Sequence, residues 1–263
     1  MTGWRAPLTL VLCTSFAASP LLTGGFAGFL PTQFPLVQSR WPVLPVGWAF
    51  SIWGPVFALL VASAIRGVLR PADDPLWQPM RLPLMLSAGI GTPWIAVAGL
   101  QPLMAAVMIV FMAAAAIEAL LRAPRQPAAL WPVGLYAGWV TSVACIAVAV
   151  VLGGYGVINT QGAALLLLTF LAGLAGAVLW YRPRATAFGL GVGWAYAGVL
   201  IANLDIANVP VIALCAAALL MLAAVPLLRP RTRPRLSHES SASPSARPRP
   251  SHPSAPPPRG CRR

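Results

Sequence analysis

LPLMLSAGIGTPWIAVAGLQPLMAAVMIVFMAAAAIEALL, residues 82–121, is a run of forty residues in which Glu118 is the one charged side chain. A helix rises about 1.5 Å per residue and the hydrocarbon core of a bilayer is about 30 Å thick, so one straight helix of this length would be about twice too long. Leu100-Gln101-Pro102 is the interruption where the chain has to turn, which leaves two spans, 82–100 and 102–122. Six more apolar segments flank the pair, near residues 7–27, 45–66, 131–152, 162–181, 185–203 and 208–228. The expected fold is an all-α integral membrane protein of about eight transmembrane helices. Composition agrees: 58% of the 263 residues are hydrophobic and 9% are charged, against about 25% charged in a soluble domain. The chain cannot hide that much apolar surface in a water-soluble core.

Charge gives the orientation. All 18 basic residues are arginines, and the net charge is +13. The eight-span map places Arg5, Arg66, Arg70, Arg81, Arg122, Arg125, Arg182 and Arg184 on one side and leaves Arg40, with Asp205, on the other. Positive residues in short loops stay cytoplasmic, so both termini are expected inside a cell membrane, with a bacterial inner membrane the natural host. The first segment also carries features of a targeting signal. Leu12-Cys13 resembles a lipoprotein site but has a bulky residue where a small one is wanted. A cleavage near Ala17-Ala18-Ser19 would cut an apolar run that continues to Leu30, so the segment reads as a span. Residues 229–263 hold nine arginines against Glu239 among Ser, Pro and Ala repeats, a composition that does not fold. This tail reads as a solvated cytoplasmic stop signal, with adhesion to anionic membrane lipids as the alternative. No aromatic residue interleaves its arginines, and no nucleic-acid partner is expected.

Chemistry-bearing side chains are scarce in the spans. His238 and His252 both lie in the tail, which removes histidine-ligated haem or zinc and any Ser/His/acid triad from the bundle. Cys13, Cys145, Cys215 and Cys261 show no ligand spacing. Glu118 and Arg122 stand at i, i+4 and read as an ordinary ion pair; Asp205, between Asn203 and Asn208, reads as a turn element. No catalytic residue, metal or resident cofactor is expected.

The aromatic residues are less ordinary. Phe50, Trp53 and Phe57 are spaced i, i+3, i+7, so one helix face would stack them. Trp94, Trp139 with Tyr136 a turn away, and Trp194 also fall well inside apolar runs, although indoles in membranes collect at the water interface where the N–H is hydrated. Trp41, Trp77, Trp131 and Trp180 sit at span edges and fit that belt. Two readings compete for the central rings. One is packing against small residues such as Gly54, Gly91 and Gly198; the other is the wall of a cavity for a flat apolar ligand.

Two motifs carry a family resemblance. PVGWAFSIWGPVF at 45–57 resembles the Pro-Ala-Gly-aromatic-Ala-Phe-x-Ile-Trp-Gly signature of tryptophan-rich sensory proteins in the TspO/MBR (translocator protein, peripheral benzodiazepine receptor) group. WPVGLYAGWVTSVACIA at 131–147 is similar to that group's Leu-Tyr-x-Gly-Trp helix. Trp94 and the GWAYAG of 193–198 add weaker support. The chain departs from the pattern at Thr92-Pro93, near Ala147 and at Phe57, where the family often carries Leu-Asn, Asn and Tyr. The resemblance implies a five-helix core, about 7–152, with three additional helices over 162–228. It also implies binding of tetrapyrrole- or sterol-like molecules by a sensor, regulator or transporter, which agrees with the cavity reading, whose ligand contacts are Phe50, Trp53, Phe57, Trp94, Tyr136 and Trp139. A porphyrin or other hydrophobic small molecule, membrane lipids and a second copy of the chain are the expected partners. An enzyme that degrades such a ligand and a ligand-free scaffold, joined through pairs such as Gly24/Gly28 and Gly189/Gly193, are the alternatives. Leu30–Pro45, rich in Pro and apolar residues, reads as a lid over the cavity mouth.

Overall fold

The computed structural model describes residues 3–24, 28–38, 40–71 and 74–228. The basic tail lies outside the described residues. Eight helices follow one another: α1 (Arg5–Thr23), α2 (Trp53–Val68), α3 (Gln78–Leu100), α4 (Pro102–Arg122), α5 (Pro127–Gly154), α6 (Thr160–Tyr181), α7 (Thr186–Leu204) and α8 (Val209–Leu228). Among the described residues there is no strand. Among the described residues seven segments are long and apolar enough to cross a membrane, Gly47–Val68 counting as one, and α8 is apolar over Val209–Val225.

Local chemistry explains most of the boundaries. Gln101 leaves helical geometry at φ −138°, ψ 83° and Pro102 opens α4, where its missing N–H would have had no partner anyway. Pro127 opens α5 in the same way. The first helix ends at Gly24, whose φ of +77° suits glycine and lets its N–H reach the Pro20 carbonyl. Asn159 caps α6 by accepting the Gly162 N–H at 2.6 Å. Several boundaries differ from expectation: α1 ends at Thr23 rather than 27, α3 begins at Gln78 rather than 82, α5 begins at Pro127 rather than 131, and the 45–66 segment is not a single α-helix. Gly47–Ile52 is a 3-10 helix and α2 begins at Trp53. Pro55 has no N–H to close an α-turn onto Ser51, so the chain before it winds tighter.

Helix α5 is the axis, buried over most of its length and packed by α2, α4, α6 and α7. Its contact with α7 is backbone on backbone. A Cβ on Gly138 would collide with the Phe188 carbonyl oxygen, and one on Gly191 would lie 2.8 Å from both Leu135 O and Trp139 N. Small residues at such crossings let helices approach closely. The pair expected to do this in the first segment does not, because Gly24 is the cap after α1 and Gly28, at φ +116°, lies in the connection beyond it.

At the end of the bundle where α1 starts, arginines bind helix C-termini. Arg81 is expected in a loop, yet it lies inside α3, is 1% exposed, and donates from Nη2 to Gly67 O at 2.8 Å. Arg182 donates to Leu120 O and Ala123 O at the end of α4. Both place positive charge on the negative end of a helix dipole. Trp77 also departs from the interfacial expectation. It is buried, donates from Nε1 to Gln126 Oε1 at 3.0 Å, and lies beneath the Arg70 guanidinium. Asp74 accepts the Leu76 N–H and pairs with Arg70, contacts that hold its carboxyl below the usual carboxylate range. Glu118 pairs with Arg122.

At the opposite end, the α1–α2 connection is pinned at several points. Gln33 donates from Nε2 to Ala98 O at 3.0 Å and Gly99 O at 2.9 Å, capping α3. The Leu36 N–H reaches Gly154 O, the Val46 N–H reaches Gly198 O, and Asn203 Nδ2 donates to Pro42 O at 2.8 Å. Each bond satisfies a carbonyl or anchors the connection on a different helix. Phe34 and Trp41, a tryptophan expected at an exposed edge, are instead buried under it, their rings 5.4 Å apart.

Candidate functional site

The break before α2 and the crossing of α1 over α3 bring five aromatic side chains around one space. Phe16, on α1, packs against Gly91 of α3, where an added Cβ would come within 2.7 Å of the ring. It meets Trp53 edge-on at 5.8 Å and Phe57 at 5.0 Å. Trp53 and Phe57, one turn apart on α2, stack at 5.1 Å with 18° between planes. Trp139 of α5 stands edge-on to Trp53 and to Phe50, each at 6.0 Å. Aromatic pairs in these geometries contribute about 0.5–1.5 kcal/mol beyond area burial.

Between these rings runs a half-open groove of about 360 Å³, lined by Phe16, Phe50, Trp53, Gly54, Phe57 and Trp94 with neighbouring apolar residues of α1 and α3. Gly54 is not a packing glycine here, since a Cβ on it would meet nothing within 4 Å. A second void of about 10 Å³ lies between Phe29, Leu44, Trp139 and Val143. Phe50 and Trp94 line both spaces and so form the partition between them.

Most of the expected residues therefore meet. Phe50, Trp53, Phe57 and Trp94 line the groove, while Trp139 lines the small void and stands edge-on behind Phe50 and Trp53. Tyr136 stands behind it. Fully buried, it shares a 2.6 Å hydrogen bond with Ser87, whose hydroxyl also donates to Met112 O, so it braces α3, α4 and α5. Trp194 stays outside the cluster: 37% exposed, it packs on Trp48 and donates from Nε1 to Ala49 O at 2.8 Å. Trp94 donates to Ala105 O at 2.9 Å. The Trp139 N–H is different, being buried without a hydrogen-bond partner. An unmet donor in an apolar interior costs about 1–3 kcal/mol. The residue that sequence reading missed is Phe16, whose face is set by Gly91, seventy-five positions away in sequence. No three His, Cys, Asp or Glu side chains gather as a metal site among the described residues.

A bundle of apolar helices wound about one buried helix, with an aromatic groove on one flank, defines a multi-pass α-helical membrane protein. The family model described as TSPO-like protein matches residues 37–226, well over half the chain, and the protein belongs to that family. The match runs from before α2 into α8 and takes in both motifs that carried the resemblance. No curated protein and no solved structure matches the chain.

Proposed function

We propose that this protein is a non-enzymatic receptor or carrier that binds a flat hydrophobic molecule, tetrapyrrole- or sterol-like, in the groove between α1, α2 and α3. It acts in a cell membrane with both termini on the cytoplasmic side. The observation that carries the reading is the groove itself: about 360 Å³, within the roughly 300–1,000 Å³ of ligand pockets, walled by stacked rings and left open at Gly54. Its half-open shape suits a planar molecule that enters edge-first from the lipid. Rotation of Phe50 would join the groove to the small void beyond it and bring a ligand to the Trp139 side, where a carbonyl or ring nitrogen could accept the unmet N–H.

Binding is tested with protoporphyrin IX added to the full chain in lipid nanodiscs, followed by quenching of tryptophan fluorescence. Trp53→Leu and Trp139→Phe should each weaken binding several-fold, whereas Trp180→Leu, at an exposed position, should leave it unchanged. Recovery of the porphyrin unaltered by mass spectrometry supports a receptor or carrier; a converted product would favour an enzyme. Unsaturable quenching, or equal affinity in all variants, would return the rings to packing.

A further inference from the structure

A further pocket, which shares no lining residue with the groove, lies where the α1–α2 connection meets the α7–α8 turn. Its volume is about 260 Å³, and Arg40, Trp41, Pro42, Asn203 and Asp205 are among its walls. Unlike the groove, it is substantially polar, and its frame is rigid. Asn203 is 1% exposed and its amide is fully engaged, donating to Pro42 O and Val199 O and accepting from Asn208 Nδ2. Asn208 and Gln161 in turn exchange two hydrogen bonds, at 3.0 and 2.9 Å. This network ties α6, α7 and the connection together around the pocket. Ala207, in the turn, holds a left-handed φ of 48°, a conformation that costs a non-glycine residue free energy and that surrounding structure must enforce.

On that fixed frame stand two exposed opposite charges. Arg40 and Asp205 both line the pocket, yet neither has an ion pair or hydrogen bond among the described residues. Trp41, beside Arg40, has a buried indole N–H that also lacks a partner. A purely anionic ligand would meet the Asp205 carboxylate and a purely cationic one the Arg40 guanidinium. The complement of the pair is a small zwitterion. Guanidinium groups hold phosphate and carboxylate through paired N–H donors, and a carboxylate accepts from a primary ammonium.

We infer that this pocket binds a short zwitterion carrying a phosphate and a primary ammonium, the phosphate at Arg40 and the ammonium at Asp205. For helices that cross a bilayer, this end of the bundle stands at the headgroup layer, so the chemistry has two sources. One is the phosphoethanolamine headgroup of a membrane lipid, and the other is free phosphoethanolamine.

Native mass spectrometry of the full chain, with equal amounts of phosphatidylethanolamine and phosphatidylglycerol, tests the inference. The wild type should retain the ethanolamine lipid in preference. Asp205→Asn should lower that retention by roughly three- to tenfold, as expected for one exposed charge contact, and leave phosphatidylglycerol unchanged or raised. Arg40→Gln should lower both. Both side chains are exposed and unpaired, so thermal midpoints and porphyrin quenching should not move. Displacement of the lipid by free phosphoethanolamine identifies a soluble ligand, and resistance to it identifies the headgroup; either supports the pocket. Equal retention of the two lipids by the wild type with no binding of free phosphoethanolamine, or a preference unaltered by Asp205→Asn, would overturn it.

Discussion

The two flanks of α5 are built on opposite principles. Toward α7 the helices touch through glycine, so closely that the Phe188 carbonyl occupies the place where a side chain at Gly138 would begin. Toward α2, one residue further along, Trp139 meets Phe50 and Trp53 ring to ring, with a groove beyond them. Backbone contact has little freedom, because a helix cannot shorten to make room. Ring contact has more, since edge-on and stacked geometries are close in energy and a side chain can turn. The first flank is suited to hold the axis in place and the second to yield to a guest. Adjacent residues on one helix, Gly138 and Trp139, thus carry the two tasks.

The sharpest way to break this contrast is Gly138→Ala. One methyl group aimed at the Phe188 carbonyl should destabilise the bundle by about 3 kcal/mol or more, at the upper end for overpacked cores, and lower the detergent melting temperature clearly. A melting temperature equal to wild type would mean that the seam is looser than it looks. Gly54→Leu probes the other flank. With nothing within 4 Å of the new Cβ, the side chain should fill the groove and reduce porphyrin binding about tenfold or more, the equivalent of about 1.4 kcal/mol. Stability should hold or rise, because glycine is the poorest non-proline residue within a helix. Loss of folding with Gly54→Leu would show that the groove is packed space. The smallest effect is expected from Trp194→Phe, which deprives Ala49 O of a donor where α7 braces the 3-10 turn. About 1 kcal/mol of stability should be lost, with a modest loss of porphyrin affinity through Phe50.

Span positions were legible because the apolar runs are long and punctuated: Gln101-Pro102 marks a helix start in the sequence as it does in the structure, whereas α5 begins at Pro127, four residues before the expected 131. The grouping of Phe50, Trp53 and Phe57 was legible from spacing, although spacing could not show that Phe50 sits on a 3-10 turn. Hydropathy could not distinguish Trp77 and Trp41, at span edges, from belt residues, since Trp77 is buried against Gln126 and Trp41 against Gly153, both distant in sequence. Arg81 counted correctly as a charge near a span end but not as a buried cap. Gly134 and Gly138 form an i, i+4 pair of small residues in plain view, yet nothing local distinguishes that pair from Gly189/Gly193. Only the partner helix decides which glycine is needed.

The pinning of the α1–α2 connection has a consequence for biogenesis. Ribosomes add about 5–20 residues per second, and the groups that fasten residues 33–49 arrive late: the Ala98 carbonyl first, then Gly154, then Trp194, Gly198 and Asn203. The aromatic motif is therefore synthesised well before the helix that braces it, with about 8–30 seconds of translation between Ala49 and Asn203 at that rate. During that interval the first two spans must reside in lipid with their connecting segment fastened only in part, at Ala98 and then Gly154. A nascent chain arrested at residue 185 should expose residues 30–46 to protease added on that side of the membrane, and one extended through α8 should protect them. The maturation of the groove is thus a late event of chain completion, set by a helix almost 150 residues downstream of the rings it steadies.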